Sequence, residues 1–149
     1  MGKMADNSII IDTNILLYLN IDNEEVKGKA LQKIQYLKRD GYSLAISEQI
    51  IREFLVAKSN LQKIAHKIDF NKLREDVQYL LHNFSIIWPS FKSVLFLEEL
   101  IFKYRIQGKV IHDANIVAVA KENNVFKILT NNPSDFIFAL GEGFEIITL

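Results

Sequence analysis

Ser8-Ile9-Ile10-Ile11-Asp12-Thr13-Asn14-Ile15-Leu16-Leu17-Tyr18 decides the fold class. Three consecutive isoleucines suit a strand buried on both faces, the kind that parallel sheets contain. A carboxylate, a hydroxyl and an amide follow at once, the residue types that leave a strand and cap a helix. The apolar run 15–19 then fits a short helix over 13–19. Working outward, the spacing predicts a helix over 24–39, with Val26, Ala30, Ile34 and Leu37 on one face. Gly41 stops it, and a second strand covers 42–46.

Ser47 is placed to cap a helix over 48–59. Two further helical stretches fall at 61–67 and 71–82, before a third strand at 85–88 that Pro89 closes. A helix over 91–106 carries Val94, Leu97, Ile101 and Tyr104 on one face, and another covers 112–123. Strands at 127–129 and 145–148 complete the chain. Strand-type and helix-type segments alternate without a Pro/Gly/Ser-rich linker or an internal repeat. The expected class is therefore α/β: one domain over 1–149, with a mostly parallel sheet of about five strands and helices on both faces. In such sheets, functional groups gather outside the carboxyl ends of the strands.

Composition narrows the function. The chain has 149 residues, 49% hydrophobic and 24% charged, with 18 basic and 18 acidic side chains. This richness in apolar residues excludes intrinsic disorder. No apolar run exceeds five residues, which excludes a transmembrane helix. Met1–Asp6 shows neither a secretory h-region nor a myristoylation pattern. The absence of cysteine removes disulfides, thiolate nucleophiles and Cys-based zinc sites, and suits a cytoplasmic location. His66, His82 and His112 lack zinc-ligand spacing. Neutral net charge and a pI near 6.8 argue against coating nucleic acid by bulk charge, though not against a nuclease.

Four acids stand out. Asp12 leaves the first strand. Glu53 falls inside the apolar stripe of Ile50, Phe54 and Ala57, where a carboxylate costs several kcal/mol, to order of magnitude, unless compensated. Asp113 heads the face carrying Ile116, Val117 and Ala120, in a first turn that the helix dipole makes favourable for an anion. Asp135 lies in a polar loop, 130–136, after the fourth strand. Each has a plain structural alternative: an N-cap for Asp12, a salt bridge for Glu53, an ordinary helix-start acid for Asp113, a turn residue for Asp135. Together they describe convergent carboxylates that need a hard cation, for which Mg²⁺ or Mn²⁺ is suited.

At Ile11-Asp12-Thr13-Asn14, Ser47-Glu48-Gln49-Ile50-Ile51-Arg52-Glu53, His112-Asp113-Ala114-Asn115-Ile116-Val117-Ala118 and Thr130-Asn131-Asn132-Pro133-Ser134-Asp135-Phe136 the sequence resembles the PIN-domain family, and within it VapC-type toxins of toxin–antitoxin modules. The resemblance spans nearly the whole chain. It implies a Rossmann-like three-layer sandwich, a Mg²⁺- or Mn²⁺-dependent ribonuclease, a homodimer and a cognate antitoxin. Carried onto this chain, it makes Asp12, Glu53, Asp113 and Asp135 the catalytic and metal-binding acids. Thr13, Asn14, Thr130 and Asn132 become polar groups that support them. The loop departs from the family at Asn131-Asn132, where some members carry another acid or an Arg.

The expected chemistry is hydrolysis of RNA phosphodiesters by metal-activated water, with no covalent nucleophile. The window 58–74 holds Lys58, Lys63, Lys67, Lys72 and Arg74 against Asp69 alone, and Lys58, Lys63 and Lys67 are candidate contacts to the RNA backbone. A solvated helical face is the alternative there. His112 reads as a structural histidine at a helix start, and Glu24, Glu25, Glu98 and Glu99 as surface acids. Two other functions stay open: a PIN nuclease in RNA processing or decay without an antitoxin, and a catalytically silent interaction module. An aspartyl phosphotransferase of the haloacid-dehalogenase type would want a second Asp two residues after Asp12, where Asn14 stands.

Overall fold

The computed structural model describes residues 7–149. The segment Met1–Asp6, read above for targeting signals, lies outside them. Five strands, β1 (Ser8–Ile11), β2 (Ser43–Ser47), β3 (Ser85–Ile87), β4 (Lys127–Leu129) and β5 (Glu145–Ile147), form one sheet in the order β3-β2-β1-β4-β5. Every pairing is parallel. The isoleucines of β1 are fully buried, as a central strand covered on both faces requires.

Between the strands lie α1 (Thr13–Tyr18), α2 (Glu24–Arg39), α3 (Glu48–Ile64), α4 (Phe70–Asn83), α5 (Phe91–Tyr104) and α6 (Val110–Glu122), with a 3₁₀ segment at Pro133–Glu142. They pack in two groups. One joins α1 to α2 and α3, and α3 to α4; the other joins α5 to α6 and α6 to the 3₁₀ segment. Because crossovers between parallel strands are right-handed, the strand order puts these groups on opposite faces of the sheet, which gives three layers. From β1 the chain steps towards β3, then jumps back across β1 to β4. The direction of winding therefore reverses between β1 and β4, and sheets of this kind carry their sites at the carboxyl ends of the strands beside such a reversal.

Two expected boundaries move. The helix expected to stop at Ser59 runs on to Ile64 and absorbs the separate stretch expected at 61–67, because no Gly or Pro interrupts it and the Ser59 hydroxyl donates to the Val56 carbonyl within the same helix. The loop expected around Asp135 is instead the first turn of the 3₁₀ segment, entered through Pro133. Other ends shift by three residues at most: α5 stops at Tyr104, where Arg105 turns left-handed at φ 54°. No helix among the described residues is long and apolar enough to cross a membrane.

Candidate active site at the strand ends

Asp12 sits at the reversal point. Its backbone N–H continues the ladder to the Leu129 carbonyl of β4 at 2.9 Å. Its side chain caps α1, Oδ1 accepting from the Thr13 N–H at 2.8 Å, while Oδ2 accepts from the Thr130 hydroxyl at 2.7 Å. Burial raises its pKa most strongly. These two hydrogen bonds pull it back, and the charges of Glu53 and Asp135 push it up again.

Glu53 lies half-buried one turn into α3. The salt bridge offered as its plain alternative is not what holds it. Thr13 Oγ1 donates to its Oε2 at 2.7 Å, and the Gln49 amide donates to its Oε1 at 2.7 Å. Among the described residues, no ion pair reaches Asp12, Glu53, Asp113 or Asp135.

Asp113 occupies the first turn of α6. Its carboxyl is pushed up to about 7, first by burial, then by the charges of Asp12, Asp135 and Glu53. Asp12 and Asp113 thus each feel the charges of Glu53 and Asp135, and Asp113 feels that of Asp12. Asp135 is the exposed member, at the rim.

The supporting polar groups divide. Thr13 and Thr130 hold carboxylates directly. Asn14 Nδ2 lies 3.5 Å from Thr130 Oγ1, and its Oδ1 accepts from the Asn131 N–H at 3.3 Å. Asn132 contributes its backbone N–H to Thr130 Oγ1 at 3.0 Å, while its side chain is exposed. Asn131 Nδ2 reaches the Tyr18 hydroxyl at 3.0 Å and ties the loop to α1.

The basic candidates differ from one another. Lys58 is only 14% exposed and lies 3.7 Å from the buried Asp76, which also pairs with Lys72 at 3.2 Å. Lys58 thus ties α3 to α4 and is not a free contact for RNA. The window 58–74 misled because it ends just before Glu75 and Asp76. Lys63 and Lys67 are exposed. Lys63 follows Glu53 by ten residues, a helical rise of ~15 Å. Two residues passed over in the sequence, Gln49 and Asn115, lie within this network. Gln49 stands one helical turn before Glu53, and that spacing was the available signal.

No group of three or more His, Cys, Asp and Glu side chains among the described residues is already arranged to hold a metal ion. The chemistry of the donors nonetheless fits a hard divalent cation, since all are carboxylate oxygens and the protein supplies no cation to neutralise them. Mg²⁺ in particular binds through one or two carboxylates and keeps several waters, so it needs no all-protein cage.

The five-stranded parallel sheet and its helices define an α/β domain of the PIN-like class. No protein-family model and no curated protein matches the chain. Solved structures do, and they include VapC-type toxins. A chain of the VapBC2 complex from Rickettsia felis, bound to promoter DNA, matches with TM-score 0.68 and 18% identity over 95% of this chain and 98% of its own. A chain of a toxin–antitoxin complex from Klebsiella pneumoniae matches with TM-score 0.59 and 26% identity, over 87% and 90%. VapC20 from Mycobacterium tuberculosis, a Sarcin-Ricin loop cleaving toxin, matches with TM-score 0.61 and 14% identity, over 92% and 96%. The resemblance read from the sequence therefore holds for the fold.

Proposed function

We propose that this chain is a divalent-metal-dependent endoribonuclease, the toxin of a toxin–antitoxin pair. One observation supports the reading: Asp12, Glu53, Asp113 and Asp135 have no ion-pair partner among the described residues, and burial first, then the charges of the other three acids, raises Asp113 to about 7. The solved structures that share the fold support it, since they include toxin–antitoxin complexes and an RNA-cleaving toxin.

Asp12 and Asp113 would hold Mg²⁺ or Mn²⁺, with Glu53 and Asp135 binding through water. Such an ion lowers the pKa of bound water and offsets charge growing on the phosphate oxygens. The chain's own groups keep the acids oriented: Thr130 and the Thr13 N–H hold Asp12, and the Thr13 hydroxyl holds Glu53. No side chain forms a covalent intermediate. Lys63 and Lys67 would attract the RNA backbone beyond the cut. The reading includes a homodimer, a cytoplasmic location and an antitoxin that covers the acids. An Arg of that partner would pair with the acids in the metal's place.

The test is RNA cleavage by the purified protein. Cleavage should require Mg²⁺ or Mn²⁺ and stop with a chelator. Asp12→Asn and Asp113→Asn should each lower the rate on the order of 10²-fold or more. Glu98→Gln, on the exposed side of α5, should change nothing. Undiminished cleavage by folded Asp113→Asn protein would refute the reading.

A further inference from the structure

We propose that Gln49 is a positioning residue, a buried strut that ties Glu53 to the start of α6 and so sets the spacing of the Glu53 and Asp113 carboxylates. The inference rests on the metal-site reading above. Gln49 is 6% exposed, in the first turn of α3. Burying a primary amide costs a few kcal/mol, to order of magnitude, unless its donors and acceptor are matched, and here they are. Its Nε2 donates to Glu53 Oε1 at 2.7 Å and to the His112 carbonyl of α6 at 2.9 Å. Its Oε1 accepts from Asn115 Nδ2 at 2.6 Å.

Chemistry fixes which way this amide points. A carboxylate and a main-chain carbonyl only accept, so the nitrogen must face both, and Asn115, by donating to the oxygen, holds it there. The strut therefore ends on the residue adjacent to Asp113. Elsewhere α3 packs mainly on α1 and α4, and α6 on α5 and the 3₁₀ segment. The amide joins two helices that otherwise belong to different layers. With Thr13 Oγ1 on Oε2, both Glu53 oxygens are hydrogen-bonded by neutral donors. The carboxylate is thus oriented without being neutralised, and each oxygen keeps a lone pair for a cation or its water. Outer partners of this kind tune how well acids grip an ion.

Calorimetric titration with Mn²⁺ of the wild type, Gln49→Met, Asn115→Ala and the double variant tests this. Gln49→Met keeps length and burial but removes the three hydrogen bonds. Its Mn²⁺ Kd should rise on the order of 10-fold or more. Asn115→Ala should weaken binding in the same direction by less. The double variant should match Gln49→Met alone, because Asn115 acts through Gln49. A Gln49→Met protein that melts at a lower temperature yet binds Mn²⁺ as tightly as wild type would make Gln49 a packing residue and overturn the inference. If Gln49→Met does not fold, Asn115→Ala decides: weakened binding supports the strut and unchanged binding overturns it. A wild type that binds no Mn²⁺ overturns the metal site itself, and that result is read before any variant.

Discussion

Asp113 is where the acids work against the fold. Its carboxyl is raised from 3.8 to about 7, by burial first and then by its three acidic neighbours. A carboxyl whose folded pKa lies above its unfolded value binds more protons in the folded state, so stability falls as pH rises between the two values. The penalty is complete above pH 7 and absent below 3.8. Asp113→Asn should therefore raise the Tm of chelator-treated protein at pH 8, by ~2–4 °C for each kcal/mol relieved. The gain should disappear as the pH is lowered below 3.8, which scanning calorimetry of both proteins across that range measures. A variant less stable at pH 8 would mean that Asp113's favourable place at the start of α6 outweighs the repulsion. At this scale, Asp12, Glu53 and Asp113 stand out in the sequence as candidates because a carboxylate at a strand end or inside an apolar stripe contradicts its surroundings. Gln49 and Asn115 were not, because an amide on a helix is usually a surface residue and only its partners across space mark it. Lys58 misread for the same reason: its partner Asp76 belongs to another helix.

Elements were legible to the extent that local chemistry defines them. The Ser47 cap of α3, with its hydroxyl accepting from the Ile50 N–H at 3.3 Å, follows from sequence. The 3₁₀ segment does not, because what holds it comes from α5 and α6. Its Glu142, with a side chain 10% exposed, accepts from the Tyr104 hydroxyl at 2.7 Å, Lys103 Nζ at 3.0 Å and Lys121 Nζ at 3.1 Å. The neighbouring Gly141 lies so close to the Tyr104 hydroxyl that a Cβ there would displace it. Burial alone would raise the Glu142 pKa, but the Tyr104 hydroxyl and the two lysines outweigh it and lower the carboxyl to about 2. A carboxyl depressed in this way contributes stability above its unfolded value of 4.5 and loses it as pH falls towards 2. Glu142→Gln should therefore cost about 1.5–3 kcal/mol at pH 7, the range for hydrogen bonds to a charged group. The difference between the two proteins should shrink between pH 4.5 and 2. Urea unfolding at several pH values reads it, and a difference independent of pH would mean that packing, not charge, holds the segment. Because Asp135 lies in the first turn of the same segment, loosening it should also lower Mn²⁺ affinity.

At the scale of the whole molecule, topology does what no local segment can. Asp12, Glu53, Asp113 and Asp135 are spread over most of the chain and come from α1's cap, α3, α6 and the 3₁₀ segment. In the all-parallel sheet every strand ends at the same edge, the reversal between β1 and β4 falls there, and the charges of Glu53 and Asp135 reach both Asp12 and Asp113. The cost is convergent negative charge in a half-buried place, which burial and mutual repulsion register at both Asp12 and Asp113. A cation that binds only the folded chain removes that cost and adds its own binding free energy. Mn²⁺ should therefore raise the Tm of the whole protein, by about 2.7 kcal/mol of stabilisation at 100 times its Kd, or roughly 5–11 °C for a chain of this size at ~2–4 °C per kcal/mol. Sodium at equal ionic strength should not reproduce the rise, because screening weakens the repulsion but does not coordinate carboxylates. Asp12→Asn, which keeps a side-chain oxygen to accept from the Thr13 N–H, should abolish most of the Mn²⁺ effect while leaving the fold intact. Thermal melts of both proteins, with each salt, separate these outcomes. An equal rise in the variant would place the ion elsewhere on the surface, and the four acids would then be a structural cluster that the fold tolerates.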